Sequence, residues 1–274
     1  DGDGRLVAVI GAGPAGMEAA VTLKQRGFDV VVFDKRDEIG GNLHVAKKPP
    51  FKGKFEWAID YYKSMAKKLN ITMKLGKEVT AQEVLALKPY SILVATGSNV
   101  ISIPLEGLDQ VQTVQAHDVL ANDMQFANKK VVVIGGGITG LETALYINRQ
   151  STNQVSVVDM LPEWPVDMLD MRYQNEALLE VRHCNDQGVA LFYNNKVVKF
   201  ADGKLFIEST KDGEVKELPA DVIVLSVGVK PNDALWQELL ASGHPSVWKA
   251  GDAIATGKIN KAVLHGSKFG YSLS

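Results

Sequence analysis

The strongest constraint on the fold is a stretch that occurs twice: residues 6–16 read LVAVIGAGPAG and residues 130–140 read KVVVIGGGITG. In each, an apolar run predicts a strand buried on both faces, and a Gly-x-Gly-x-x-Gly turn leads straight into a helix-forming segment. Gly11 permits the tight turn, Gly13 lets the backbone approach a pyrophosphate, and Gly16 lets the helix lie close on the strand. Pro14 and Ala15 open that helix, whose free N–H groups point at the phosphates. A second strand over 29–33 ends at Asp34 and Lys35, with Asp34 about 23 residues after Gly11, near the ~20 expected for a carboxylate on ribose hydroxyls. The second copy repeats every part: Gly135, Gly137, Ile138, Thr139 and Gly140, then a strand over 155–158 and Asp159 about 24 residues after Gly135. Two complete fingerprints make an internal repeat and predict two nucleotide sites.

The 274 residues suit two domains. A net charge of −2, with 46% hydrophobic and 23% charged residues, gives no electrostatic case for nucleic acid or an anionic membrane. The single cysteine, Cys184, excludes an intramolecular disulfide, a CxxC pair and a cysteine-rich metal site. It fits a reducing compartment, and a cytoplasmic location is expected. No apolar run approaches the ~18 residues of a membrane span. Asp1-Gly2-Asp3-Gly4 is acidic where a signal peptide is basic, and reads as the cut end of a linker or an expression remnant, so the chain is expected to be a fragment.

Between the fingerprints, Gly40-Gly41-Asn42-Leu43 forms a second glycine turn able to bring amides to the first pyrophosphate. Pro49 and Pro50 delay a helix until 55–69, where Trp57, Ile59, Tyr62, Met65, Ala66 and Leu69 have helical spacing and are expected in the core. Strands are predicted over 71–75 and 91–95, with a short helix over 80–87 preceded by Val79, a further candidate for the first site. Ala95-Thr96-Gly97 places small residues at a strand end, where the chain can pass close to a ligand. Pro104-Leu105-Glu106-Gly107 marks one domain boundary, and the stretch around Gly228, Val227 to Asn232, marks the return. These give a first domain of 1–103 plus 229–274 and a second of 104–228. The remaining elements are a helix over 178–187, a hairpin around Asp212-Gly213, strands over 222–227 and 247–250, Gly251-Asp252, and a helix over 259–269. The fold class is α/β, two Rossmann-like dinucleotide-binding domains with the second inserted into the first.

Other conspicuous residues have plainer readings. His44, His117, His183, His244 and His265 lack metal-ligand spacing, so no metal is expected. Cys184 reads as a structural thiol. Lys47, Lys48, Lys52 and Lys54 read as a solvated face, with a partner-docking surface left open. Without GxSxG, kinase or GxxxxGK[ST] signatures, hydrolysis and phosphoryl transfer have no residues to run on.

In this order the motifs resemble the two-dinucleotide-binding-domain flavoproteins, which pass hydride from a nicotinamide to FAD. The resemblance implies FAD in the first domain and NADH in the second, with Asp252 on a ribityl hydroxyl and Glu142 near the nicotinamide. A glutamate two residues past Gly140 also suits the helix dipole alone. Ala46-x-x-Pro49-Pro50 and Asp159-Met160-Leu161-Pro162, with the missing cysteine pair and the short tail after Asp252, resemble more narrowly the C-terminal half of old-yellow-enzyme-like NADH:flavin oxidoreductases. That group includes 2,4-dienoyl-CoA reductase and trimethylamine dehydrogenase. The narrower resemblance implies an N-terminal TIM barrel with FMN and an iron–sulfur cluster, absent from this chain, that reduces an enoate-type substrate with the electrons delivered here.

Hydride transfer needs nicotinamide C4 within about 3–3.5 Å of the flavin, so positioning and electrostatics are the protein's work and no side chain is required as acid, base or nucleophile. Asp159 favours NADH over NADPH, because a 2′-phosphate meets like charge and no arginine follows. Two alternatives stand beside this reading. One is a non-catalytic nucleotide-binding module holding ADP; the other is a standalone NADH oxidase or ferredoxin-type reductase.

Overall fold

The computed structural model describes residues 2–162 and 174–274. The chain begins with β1 (Leu6–Ile10), α1 (Pro14–Gln25), β2 (Asp29–Phe33), the single turn α2 (Leu43–Ala46), α3 (Phe55–Lys68), β3 (Thr72–Lys74), α4 (Ala81–Ala86), β4 (Ser91–Val94) and β5 (Ser98–Val100). It continues through β6 (Gln112–Gln115), α5 (Ala116–Ala121), β7 (Lys130–Ile134), α6 (Ile138–Asn148), β8 (Gln154–Val158), α7 (Gln174–Asp186) and β9 (Ala190–Phe192). Next come β10 (Asn195–Ala201), β11 (Lys204–Ser209), β12 (Val215–Pro219), β13 (Val222–Leu225), β14 (Val229–Pro231), α8 (Ala234–Ala241), β15 (Val247–Lys249) and α9 (Ile259–Ser272). Two compact units result. The first holds residues 1–47, 54–99 and 229–274, and the second holds 48–53 and 100–228. The domain limits read from the sequence place 48–53 with the first unit, whereas these residues pack with the second.

Each unit is built on a five-stranded parallel sheet, in the order β15-β4-β1-β2-β3 in the first and β6-β13-β7-β8-β9 in the second. In both, the fingerprint strand is central and its sequence-next strand is its neighbour. This is the architecture expected from the repeat. Alternate residues of β1 feed different cores, Val7 and Val9 on one side and Ala8 and Ile10 on the other. Likewise Val131 and Val133 enter one core of the second unit, Val132 and Ile134 the other. A strand covered on both faces has to be apolar throughout, hence VAVI and VVVI. In the first unit α9 lies along α1 at close range: a Cβ on Gly266 would fall 2.1 Å from the Ala15 carbonyl oxygen, and one on Gly270 would fall 2.6 Å from the Thr22 side chain. The chain's last helix is thereby pinned beside its first glycine turn.

Several elements differ from the sequence reading. Trp57 is not core. It is 68% exposed, because the buried stripe of α3 is Ile59, Tyr62 and Ala66, and position 57 lies about 200° round the helix from 59. β10 is an unexpected strand that completes a β10-β11-β12 antiparallel sheet, its alternation broken by a register shift between Val197 and Lys199. β6 and α8 are also new, whereas α7 starts four residues earlier than 178 and α9 runs to Ser272. Among the described residues no helix is long and apolar enough to cross a membrane.

Candidate functional site

The first glycine turn is shaped by three different demands. Gly11, at φ +112°, passes so close to β4's end that a Cβ would lie 2.2 Å from the Ala95 oxygen. Gly16 faces the Gly11 carbonyl, where a Cβ would fall 1.8 Å away. Gly13 meets nothing nearer than Gly41 Cα at 3.9 Å, so the protein's own packing does not require glycine there. Gly13 is also the N-cap of α1 and contributes no side-chain cap, with Pro14 opening the helix. The amides of the first turn therefore border open space at the positive end of a helix, which suits a phosphate. Gly41 folds back on this turn, its own Cβ position 2.8 Å from Gly13 Cα, while the Gly40 amide donates to the Ala12 oxygen at 2.9 Å. Asn42 is exposed and Leu43 fully buried, so the turn is anchored from beneath.

Asp34 stands at the end of β2 with one oxygen on each side of a task. Oδ2 accepts from the Ala12 amide at 2.6 Å and Oδ1 from the Arg36 amide at 2.8 Å. Charge-assisted bonds of this kind fix the carboxylate next to the glycine turn. The second unit reproduces the arrangement. Asp159 Oδ2 accepts from the Gly136 amide at 2.6 Å and Oδ1 from the Leu161 amide at 2.8 Å. Gly135, at φ +108°, would place a Cβ 2.2 Å from the Ser226 oxygen, Gly140 one 1.9 Å from the Gly135 oxygen, and around Gly137 nothing lies within 4 Å. Gly137 caps α6 without a side chain, Ile138 is buried, and the exposed Thr139 offers its carbonyl to the Thr143 hydroxyl at 2.7 Å. In both units the middle glycine alone lacks an internal reason, and a dinucleotide supplies one.

The other end of the first site is assembled from three distant segments. Thr96 and Gly97 are tied to the returning chain, the Thr96 hydroxyl donating to the Asn232 oxygen at 2.5 Å and the Asn232 amide to the Gly97 oxygen at 3.0 Å. Gly251, at φ +63°, brings the C-terminal segment against Ala15, its Cβ position 3.0 Å from Ala15 Cβ. Asp252 Oδ1 accepts from the Gly257 amide at 3.0 Å and Oδ2 from the Ser98 hydroxyl at 3.3 Å. Burial raises its pKa above the ordinary carboxylate value, against the hydrogen bonds from Gly257 and Ser98 and the nearby His265. His265 Nδ1 is buried without a hydrogen-bond partner. A buried orphan nitrogen beside a half-desolvated carboxylate fits a polar ligand placed here.

Glu142 is not a simple helix-dipole residue. It is buried and ion-paired with Lys52, which also bonds Glu176 at 2.6 Å. Burial raises the Glu142 pKa, Lys52 opposes this, and Glu180 and Glu176 add to it. Burial lowers Lys52, but Glu142 and Glu176 outweigh it and its pKa is raised. Lys52, read from the sequence as part of a solvated face, has a side chain only 18% exposed. The lysine run around it masks this role, and the paired prolines before it are the sole hint that the segment is held. Ser98, His265 and Glu176 carried no signal in the sequence, whereas the Gly266-x-x-x-Gly270 spacing does announce a close helix contact.

Four remaining candidates lie at the margins. Lys35 is exposed, and the Gly228 oxygen accepts from the Ile101 amide at 3.0 Å at the return crossing. Val79 is buried beside a cavity of about 450 Å³ lined by Phe33, Lys74, Leu75, Lys77 and Glu83. Ala95 is buried under Gly11. Among the described residues no group of three or more His, Cys, Asp or Glu side chains could hold a metal ion. Cys184 is buried, and burial with the Glu180 charge pushes its thiol up to about 12.

Comparison with known proteins matches residues 5–265 to the model of the family described as pyridine nucleotide-disulphide oxidoreductase. The NADH oxidase of Thermoanaerobacter brockii is 31% identical over 98% of this chain and 41% of that protein. A 2-naphthoyl-CoA reductase structure superposes with a TM-score of 0.89 at 29% identity, over 98% of this chain and 40% of that one. The chain thus spans about two fifths of these relatives. The thioredoxin reductase of T. acidophilum, at 20% identity and TM-score 0.71, shares the fold over 98% of this chain and 97% of its own length.

These matches correct the narrower resemblance drawn from the sequence. The family model and the end-to-end thioredoxin-reductase fold place the chain in the broad two-domain family, not in the old-yellow-enzyme-like group with its FMN- and iron–sulfur-bearing barrel. The motifs that suggested that group have local reasons here. The Pro49-Pro50 stretch leads into the segment that delivers Lys52 to Glu142, and Leu161 after Asp159 serves its carboxylate through an amide. The chain has an NAD(H) domain inserted into an FAD domain, binds both nucleotides, and transfers electrons between them. An FAD-dependent NAD(P)H oxidoreductase, the chain belongs to the pyridine nucleotide-disulphide oxidoreductase family.

Proposed function

We propose that this chain oxidises NADH through FAD and hands the electrons to a separate acceptor, in the manner of an NADH oxidase or ferredoxin-type reductase. FAD is assigned to 1–103 plus 229–274, less the 48–53 segment, and NADH to 104–228. The observation that carries the reading is the duplicated turn: Ala12 to Asp34 and Gly136 to Asp159, both at 2.6 Å, each beside an uncrowded middle glycine. The name of the T. brockii relative supports an oxidase or reductase over a nucleotide-filled structural module.

Bound FAD supplies the ring that accepts hydride and later releases electrons. The chain's residues do the rest. The α1 and α6 N-termini hold the two pyrophosphates, and Asp34 and Asp159 present carboxylates to the two riboses. Asp252 and Ser98 would hold the ribityl chain, and the start of α9, whose N-cap Lys258 makes no side-chain cap bond, would offer backbone amides to the flavin ring. Asp159, with no arginine in Met160-Leu161-Pro162, selects NADH by repelling a 2′-phosphate. The test is anaerobic titration of the FAD-loaded protein with NADH and with NADPH, followed by flavin absorbance. Bleaching by NADH at lower concentration than NADPH is expected. A protein that takes up FAD and is not bleached by either nucleotide refutes the proposal.

A further inference from the structure

Helix α3 turns one face into the first unit and shows the other to solvent. Its inner face carries Ile59, which lies against the Gly40 turn, 3.1 Å from a Cβ placed there, and Tyr62, whose hydroxyl donates to Glu18 on α1 at 3.0 Å. One helix diameter, about 10 Å, therefore separates the glycine turn from the outer face. On that face Trp57 is 68% and Tyr61 49% exposed, one turn apart. The Tyr61 ring is braced edge-on against Tyr62 at 5.2 Å, and Lys54 Nζ stands 5.7 Å from the Trp57 ring centre. Exposed Lys54 and Lys68 share this side of the helix with the rings, and exposed Lys63 and Lys67 line one flank of it. Of the two carboxylates on the helix, Glu56 is held by Lys47 at 2.5 Å, which leaves Asp60 against four lysines. The whole chain is net −2, so this positive patch is a local concentration.

We propose that the outer face of α3 docks an acidic one-electron carrier protein that collects the electrons taken from NADH. The inference rests on the function proposed above. Two exposed aromatics, one of them braced, make anchors with little ordering cost, and the lysines on and beside this face select a carboxylate-bearing partner. An acidic carrier is repelled by the rest of a net-negative chain and steered to this patch. A second copy of the chain fits poorly, because a two-fold pairing would set lysines against the same lysines. The reaction balances as one NADH and two oxidised carriers giving NAD+, one proton and two reduced carriers.

The test uses the FAD-loaded full chain and NADH with three acceptors: an acidic rubredoxin, a basic cytochrome c and neutral menadione. The variants are Trp57→Ala and the combined Lys63→Glu, Lys67→Glu, Lys68→Glu. Rubredoxin reduction is expected to fall at least about tenfold in the triple variant and to lose its decline with added salt, with menadione reduction unchanged. Rubredoxin rates equal in wild type and variants, or lost in parallel with menadione rates, overturn the proposal. So does a wild-type dimer in sedimentation that Trp57→Ala dissociates, which gives the face to a second copy. If NADH reduces no acceptor, the function proposed above falls, and salt-sensitive binding of rubredoxin to wild type but not to the triple variant still reads the docking surface by itself.

Discussion

The Gly16 Cα faces the carbonyl oxygen of Gly11 so closely that a methyl group on Gly16 would sit 1.8 Å from it, while a methyl on Gly13, three residues earlier, would meet no atom within 3.9 Å. The glycines of one motif therefore answer to different partners. Gly16→Ala has to push α1 off β1 and is expected to destabilise the first unit by several kcal/mol. Gly13→Ala should leave the melting temperature of the ligand-free protein within a few degrees and weaken FAD retention at least about tenfold, because its methyl enters the space for phosphate. Gly137→Ala is the matching change for NADH, expected to raise its KM with FAD content intact. Thermal melts and the absorbance of released flavin check all three; a Gly13→Ala protein that keeps full FAD removes the cradle from the argument.

Asp159 uses both oxygens on backbone amides, those of Gly136 and Leu161. Replacing it by alanine removes the anion that repels a 2′-phosphate and also frees the loop. NADH should lose about 1–3 kcal/mol of binding, roughly ten- to a hundredfold in KM, with NADPH losing less. Steady-state kinetics with both nucleotides reads the ratio. An unchanged preference would assign discrimination to other residues.

The name of the family includes disulphide, yet this chain's one thiol is poorly placed for such chemistry. Cys184 is fully buried, its Sγ directed at the Leu141 oxygen at 3.8 Å, and its pKa is pushed up to about 12. A thiol held in that form is a weak nucleophile. Native protein at pH 8 should resist iodoacetamide for hours and react within minutes in denaturant, as read by mass spectrometry, and Cys184→Ala should retain NADH-driven reduction of menadione.

Both sheets were legible because a strand buried on two faces leaves no room for polar residues, so 7–10 and 131–134 declare themselves. The two acids and the outer glycines were legible for a similar reason: each has one geometric demand, set by backbone close by. Elements on the edges were not. β6 is four residues with two glutamines, and the bulge in β10 hides its alternation. Trp57 misled because aromatic residues are usually buried, and two-residue spacing from Ile59 was the clue that it is not. Lys52 was out of reach, since its partners Glu142 and Glu176 lie far along the chain and nothing local marks which lysine of the run turns inward.

That lysine carries the last prediction. Glu142, Glu176, Glu180 and His183 face one another in the second unit with Lys52 as the cation among the carboxylates. A carboxyl whose folded pKa is raised above its unfolded value of 4.5 binds protons more readily when folded. Its contribution to stability is present below that pH and lost as pH rises through the raised value. Lys52, raised from 10.5, keeps its contribution across the neutral range and loses it only in alkali. Above pH 5 Glu142 therefore contributes a loss of stability with rising pH, and Lys52→Met, which removes the charge opposing its raised pKa, should steepen that loss. Breaking a fully buried pair costs about 3–5 kcal/mol; with a Lys52 side chain 18% exposed, about 1–3 kcal/mol is expected at pH 8 and distinctly less at pH 5. Glu142→Gln in the same background should remove most of the difference between the two pH values. Urea unfolding at both measures this, and equal losses would mean that Lys52 acts through packing of its methylene stem rather than through charge.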